Sequence, residues 1–415
     1  MPVNLTNFDA VLKDDMLPGI KQLVPDLVPL LSRVKTRKTG GRRIENPALD
    51  NFSQAVGARG ESAVLPTAVN DSYLQPVHNL AYQYGKVLVT GPAARASTGK
   101  LASAAALIQA TKNMGKSFLR EINRQMYGDG LGAIAIMPAA DDQTTITFSL
   151  ASAQYATASG RGDVRAFNLN GARIDLIDAT DDSTKLLDSR TVSAFTNAGS
   201  NTVTLTVSGA APALTAAGDY LVREDALGSE FTGFAGIINT ENPVAAVGNY
   251  GGITRVGNSS WQSQIVIPAS TPTLAESHID SVVDLLMIEG APPKEAWTTV
   301  ENQRQLAASV ASLRRYVNAE DKIDPGFSRR GVYSSGMTVY ADGQCTPGSV
   351  YIITPDDFAL FESQPGMHWR EGIKGSFIPD PAGTDAWEAT LIWDCVLVCN
   401  APNHQGRVKG LSVTG

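Results

Sequence analysis

The chain has 415 residues, 43% hydrophobic and 18% charged, with a formal net charge of −7. That is ordinary globular composition, long enough for two or three domains or one large domain with insertions, and it excludes a wholly basic nucleic-acid binder. Three cysteines are too few for a disulfide framework and suit a reducing compartment, and no apolar stretch reaches the length of a membrane span.

The opening MPVNLTNFDAVLKDDM lacks the basic and apolar regions of a secretory leader, so synthesis in the cytoplasm is expected. Residues 1–44 read as an arm. Helical spacing over 8–34 is broken by Pro18, Pro25 and Pro29, leaving short pieces that must lie on another surface. The arm ends in RVKTRKTGGRR, where six cations (Arg33, Lys35, Arg37, Lys38, Arg42, Arg43) fall within eleven positions without an acid. Without those six the chain stands at −13, so the run suggests contact with a polyanion or an acidic neighbouring subunit, or else a solvated tail.

Residues 45–90 are polar and weakly alternating. GARGESAVLP (57–66) has the composition of a turn region, and AYQYGKVLV (81–89) reads as the returning strand of a long hairpin that reaches toward a partner. Beyond it, a β-branched strand runs into Gly91, and Gly99-Lys100 follow. This is not a phosphate-binding loop: seven residues separate Gly91 from Gly99 where four are needed, and Leu101 stands where a hydroxyl must reach a metal ion.

Over 98–127, apolar residues at Leu101, Ala105, Ile108, Ala110, Met114, Phe118, Leu119, Ile122 and Met126 recur mostly at three- and four-residue steps, which predicts a long helix stopped at Gly128-Asp129-Gly130. From 140 to 235 the texture turns to Thr, Ser, Ala and Gly. A strand–turn–strand at Asn170-Gly171, a second in TVSAFTNAGSNTVTLTVSG and a strand in GDYLVRED predict an inserted small all-β domain, a barrel or sandwich. Its Arg161-Gly162-Asp163 is a chance tripeptide unless an adhesion role is shown. Capping boxes at Thr273–Glu276 and Thr298–Glu301 predict helices, and strands follow in GMTVYAD, GSVYIIT and WEATLIWDCVLVC, an α+β arrangement. Cys395 and Cys399 on that last strand would lie roughly 13 Å apart, too far to bridge.

Chemistry is sparse. His78, His278, His368 and His404 form no metal motif, and no nucleophile elbow or thiol pair occurs. Asp141-Asp142, Asp181-Asp182 and Asp356-Asp357 read as solvated loop acids. No catalytic, metal or cofactor residue is assigned, and an enzyme is not expected.

The features left are those of an assembling subunit, and here the chain resembles a known family. GARGESAVLPTA, YGKVLVTGPAARAS, MGKSFLREINRQMYGDGLGAIA and ATLIWDCVLVCNAPNHQGRVKGLS are similar, in order and across nearly the whole chain, to segments of the major capsid proteins of tailed bacteriophages, the Hong Kong 97-type fold. The resemblance implies an N-terminal arm (1–44), an extended loop (45–90), a peripheral domain with the spine helix (91–139), the β insert (140–235), an axial domain (236–350) and a return to the peripheral domain (351–415). It implies contacts of the extended loop through Arg59, Gly60, Glu61, Leu65 and Pro66. It also implies pentamers and hexamers closing an icosahedral shell around double-stranded DNA, in a virion assembled in the bacterial cytoplasm. The implied partners are a separate scaffolding protein, suggested by the start at Met1, a portal, a decoration protein and the packaged DNA; no membrane is involved. Some members weld subunits through a lysine on the extended loop; residues 44–85 hold none, so no such cross-link is expected. An encapsulin-like compartment shell and a β-rich carbohydrate-binding or adhesion protein are the alternatives.

Overall fold

The computed structural model describes residues 30–61, 63–91, 100–137, 145–149, 169–179, 184–197, 202–209, 218–240, 249–311, 332–334, 336–370, 378–379 and 383–413. The proline-broken start of the arm, the glycine loop before Lys100, Arg161-Gly162-Asp163, Asp141-Asp142 and Asp181-Asp182 lie outside these residues.

Three sheets organise the chain. The first is built on the long strand Ala386–Cys399. One edge of it takes Ala81–Thr90 in antiparallel register from Thr90↔Ala386 to Ala81↔Cys395, and the other takes Phe358–Glu362. AYQYGKVLV is therefore not the return of a long hairpin. Its partner lies some 300 residues away, and the extended loop closes instead on a short ladder between Ala48–Asn51 and Ser72–Leu74. Local alternation identifies a strand but not its partner.

The spine helix, Lys100–Tyr127, packs against this sheet at Ala81–Thr90 and at 1.5 Å per residue is about 42 Å long. Phe118, Leu119, Ile122 and Met126 are buried, as their spacing requires. The helix stops where Gly128 N–H donates to the Gln125 carbonyl at 3.0 Å, and Gly130 then takes a positive φ of +90°. The sheet comes so close to the helix that a Cβ on Gly85 would lie 3.0 Å from Phe118 Cδ2.

The second sheet runs from Ala133 to Arg223, in the order Ala133–Ile136, Tyr220–Arg223, Arg173–Ile177, Lys185–Asn197, Thr202–Val207, Thr145–Ser149. It starts earlier than the composition change at 140, because AIAI continues straight from the glycine exit of the helix. Ile134 from one edge strand and Ile146 from the other share one core with Leu176, Val203, Leu205 and Leu221, so the sheet curls strongly. Among the described residues its two edge strands do not pair with each other, so these six strands form a curled sheet that does not close. Asn170-Gly171 form a turn, with Gly171 at φ +77°.

The third sheet has the order Gln264–Val266, Gly406–Lys409, Ser349–Ile353, Glu295–Thr298, Met337–Ala341, Val332–Ser334, with helices Glu276–Ile288 and Val300–Ala311 on one face. It draws in residues on both sides of position 350, so 351–415 is no simple return to the peripheral domain: the last strand crosses back. Ser349–Ile353 is buried throughout. Val350 and Ile352 enter the core under the two helices, while Tyr351 and Ile353 enter the core shared with the first sheet.

Both helices begin later than their capping-box motifs indicate. The first is preceded by Ala275, whose N–H donates to His278 Nδ1 at 3.2 Å, so an imidazole does the work expected of Thr273 and Glu276. In the second, Thr299 Oγ1 accepts the Asn302 N–H at 3.3 Å, while Thr298 is diverted to donate to the Ser349 carbonyl at 2.8 Å.

Candidate assembly surfaces

The cationic run is not a free tail. Lys35–Lys38 forms a parallel edge strand on Phe358–Glu362, a partner that the local sequence gives no sign of. This register divides the six cations. Arg33 Nη1 donates to Glu295 Oε1 at 2.7 Å, Nη2 donates to Tyr340 Oη at 2.8 Å, and the guanidinium lies 4.8 Å from the Tyr340 ring centroid. Lys35 Nζ meets Asp356 Oδ1 at 2.7 Å. Arg37, Lys38, Arg42 and Arg43 stay exposed around the Gly40-Gly41 turn, with no ion pair inside the chain among the described residues. Arg43 joins the short Arg43–Glu45 strand, paired with Val77–Asn79.

The extended loop projects between Asn51 and Ser72 without regular strand. Asp50 accepts from Ser260 Oγ and from Ser72 Oγ, the latter at 2.8 Å, hydrogen bonds that lower its pKa; Asp71 accepts the Ser53 N–H at 2.7 Å. Farther out, Ala63 N–H donates to the Gly60 carbonyl at 3.0 Å, the turn expected of GARGES. Arg59, Gly60, Glu61 and Leu65 are exposed and Pro66 half-buried. Apolar side chains here have nothing over them: Val56 and Val64 are 90% exposed, Leu65 80% and Phe52 73%. Burying one such side chain is worth about 1.5–3 kcal/mol, so a surface that covered this loop would be stabilised by the contact.

Two more apolar surfaces were not singled out from the sequence. Tyr82, Tyr84 and Leu88 stand exposed on the outer face of Ala81–Thr90, where Lys86 pairs with Glu388. The period-2 alternation carried that signal. Met287 and Ile288 are exposed at the end of their helix.

A buried ionic cluster joins the spine helix to the root of the curled sheet. Arg124 meets Glu121 at 2.6 Å and also Glu230, while Arg223 meets Glu121 at 2.8 Å. Burial raises the Glu121 pKa, but the two guanidinium groups outweigh it and hold the carboxyl at about 2; burial pushes Glu230 up to about 7. Glu230 also lines a cavity of about 240 Å³ with His78 and Tyr250.

Cys345, Cys395 and Cys399 are free and buried, and burial pushes their thiols up. Asp356 accepts two lysines while its side chain stays half exposed, and Asp357 accepts Gln405 Nε2 at 2.9 Å, so the pair is solvated in part, as expected, and also engaged. Among the described residues no three His, Cys, Asp or Glu side chains group as a metal site, and no helix is long and apolar enough to cross a membrane.

No family model matches the chain, and no curated protein matches it. Among solved structures, the chain is similar to the capsid asymmetric unit of cyanophage A-1(L), with a TM-score of 0.58, 12% identity and 93% of each chain covered. It also aligns with the capsid of a native GTA particle (TM-score 0.48, 9% identity, 92% of this chain and 90% of the other). A third alignment is with the holo-SrpI encapsulin complex from Synechococcus elongatus PCC 7942 (TM-score 0.43, 6% identity, 94% and 89%). The chain has the α+β Hong Kong 97-type capsid fold.

Proposed function

We propose that this chain is a major capsid protein of a tailed bacteriophage, a structural subunit that closes an icosahedral shell of pentamers and hexamers around double-stranded DNA. The observation that carries the reading is the extended loop: a capsid-type fold that sends Phe52, Val56, Val64 and Leu65 away from its own cores. The surface that covers them is a second copy of the chain. Copies arranged by closed symmetry repeat this contact many times, so individually modest interfaces make a cooperative shell.

In this reading Arg59, Gly60, Glu61, Leu65 and Pro66 touch the neighbouring subunit. Arg37, Lys38, Arg42 and Arg43 face inward, toward packaged DNA or an acidic neighbour. The acidic body keeps its charge outward, and the curled sheet decorates the shell or tightens contacts between subunits. A separate scaffold, a portal and a decoration protein complete the assembly. No catalytic step is involved, and subunits are not welded through the extended loop.

The test is the mass and form of the expressed chain, by light scattering and electron microscopy, alone and with its neighbouring genes. Closed shells of megadalton mass are the expected outcome. Small oligomers under both conditions would overturn the reading.

A further inference from the structure

The first and third sheets share one aromatic core. Phe234 lies 5.0 Å from Phe358 and 5.7 Å from Tyr351, ring centroid to centroid. Such packing holds two bodies together but is non-directional. Behind Ser349–Ile353 and Ala386–Cys399, two crossings run side by side between these sheets, residues 354–357 and 400–405. They are bonded to each other: Asn400 N–H donates to the Asp357 carbonyl at 3.0 Å and Thr354 N–H to Gln405 Oε1 at 2.9 Å. Both crossings are short segments at element ends, where a hinge rotation between the sheets would be absorbed.

The arm crosses that hinge on the outside. Its strand belongs to the first sheet, through Lys35↔Ala359 to Lys38↔Glu362. Its side chains reach the third. Arg33 holds Glu295 and Tyr340, on two neighbouring strands of that sheet, and it lies over a Tyr340 ring stacked on Trp297 at 4.9 Å. Asp356, in the first crossing, takes Lys35 at 2.7 Å and, from the third sheet's side, Lys294 at 2.5 Å.

We propose that Arg33 and Lys35 form an ionic strap that fixes the angle between the first and third sheets, Arg33 through Glu295 and Tyr340 and Lys35 through Asp356, which Lys294 also holds. Charge-assisted bonds are directional where the core is not, and a guanidinium forked between a carboxylate and a phenol resists rotation as well as separation. The strap is also releasable. Arg33 is 44% exposed and Lys35 62%, so salt screens these contacts while leaving the core intact. Two of the six cations thus act within their own subunit and set its shape, which does not depend on the shell reading.

The test is hydrogen–deuterium exchange on the full chain, kept below its assembly concentration, at 20 and 500 mM salt (both roughly chosen to span the screening range). In R33Q/K35Q and in D356N at low salt, amides of 294–298 and 354–362 should exchange roughly 3- to 10-fold faster than in wild type. Amides of Thr202–Val207 in the curled sheet should be unchanged. Wild type at high salt should approach the variants, and the exchange R33E/E295R should restore slow exchange at low salt. K35Q alone, at an exposed site, guards against a variant that fails to fold and should show a smaller acceleration in the same segments. Unchanged exchange in 294–298 and 354–362 at low salt, an equal acceleration in the curled sheet, or no recovery in R33E/E295R would overturn the strap.

Discussion

Arg124 donates from Nη2 to Glu121 Oε1 at 2.6 Å, one helical turn away, and the same nitrogen meets Glu230 across the joint with the curled sheet. All three side chains are buried or nearly so, at 2%, 17% and 5% exposure. Removing the guanidinium leaves Glu230 without a cation in a dry site and Glu121 with Arg223 alone. R124Q should therefore destabilise the chain by about 3–5 kcal/mol, measured by urea unfolding. A loss within ~0.5 kcal/mol would mean that water already reaches the cluster.

His78 is 5% exposed, its ring lies tilted with its centroid 4.8 Å from that of Tyr250, and its Nε2 has no hydrogen-bond partner among the described residues. Burial lowers its pKa from 6.5 to about 4. The unfolded chain takes up the proton first, so the contribution of neutral His78 is complete above pH ~6.5 and is lost as pH falls through ~4. At about 1.4 kcal/mol per unit this amounts to roughly 3 kcal/mol. H78N should flatten the acid limb of the stability profile by that amount relative to wild type. Parallel profiles for the two proteins would refute it.

A methyl group at Gly233 would lie 2.1 Å from the Gln125 carbonyl oxygen and 2.5 Å from that of Met126. Both are backbone atoms at the end of the spine helix and cannot swing aside. G233A should cost more than about 2 kcal/mol in unfolding free energy, well beyond a surface substitution.

The extended loop predicts the reverse pattern. V56S/V64S/L65S changes side chains that are 80–90% exposed, so the isolated subunit should keep its unfolding midpoint within ~0.5 kcal/mol. Shell yield by light scattering should fall sharply. Normal shells would remove this loop from the interface.

Replacing Arg37, Lys38, Arg42 and Arg43 together with Gln should leave subunit stability unchanged, because none of them is paired within the chain among the described residues. It should reduce the yield of DNA-filled particles, measured by absorbance ratio and imaging. An unchanged yield of filled particles would sink the inward-facing role.

Much of the local structure is legible in the sequence. Phe118, Ile122 and Met126 at helical spacing gave the buried stripe of the spine helix, Gly128 and Gly130 its end, and the strand GSVYIIT lies where its composition indicated. Periodicity reports which side of an element is dry, and glycine reports where the backbone must turn; both are properties of neighbouring residues. Pairing is not. That Ala81–Thr90 joins Ala386–Cys399, or that Lys35–Lys38 lies parallel to Phe358–Glu362, depends on registers spanning some 300 residues, for which the local pattern is the same whichever partner is chosen. The same limit governs the cations. The sequence by itself determined that six positive charges end the arm; only the tertiary structure decided that Arg33 and Lys35 are neutralised across a hinge while the other four remain free, because charge is set by residue type and its partner by the fold.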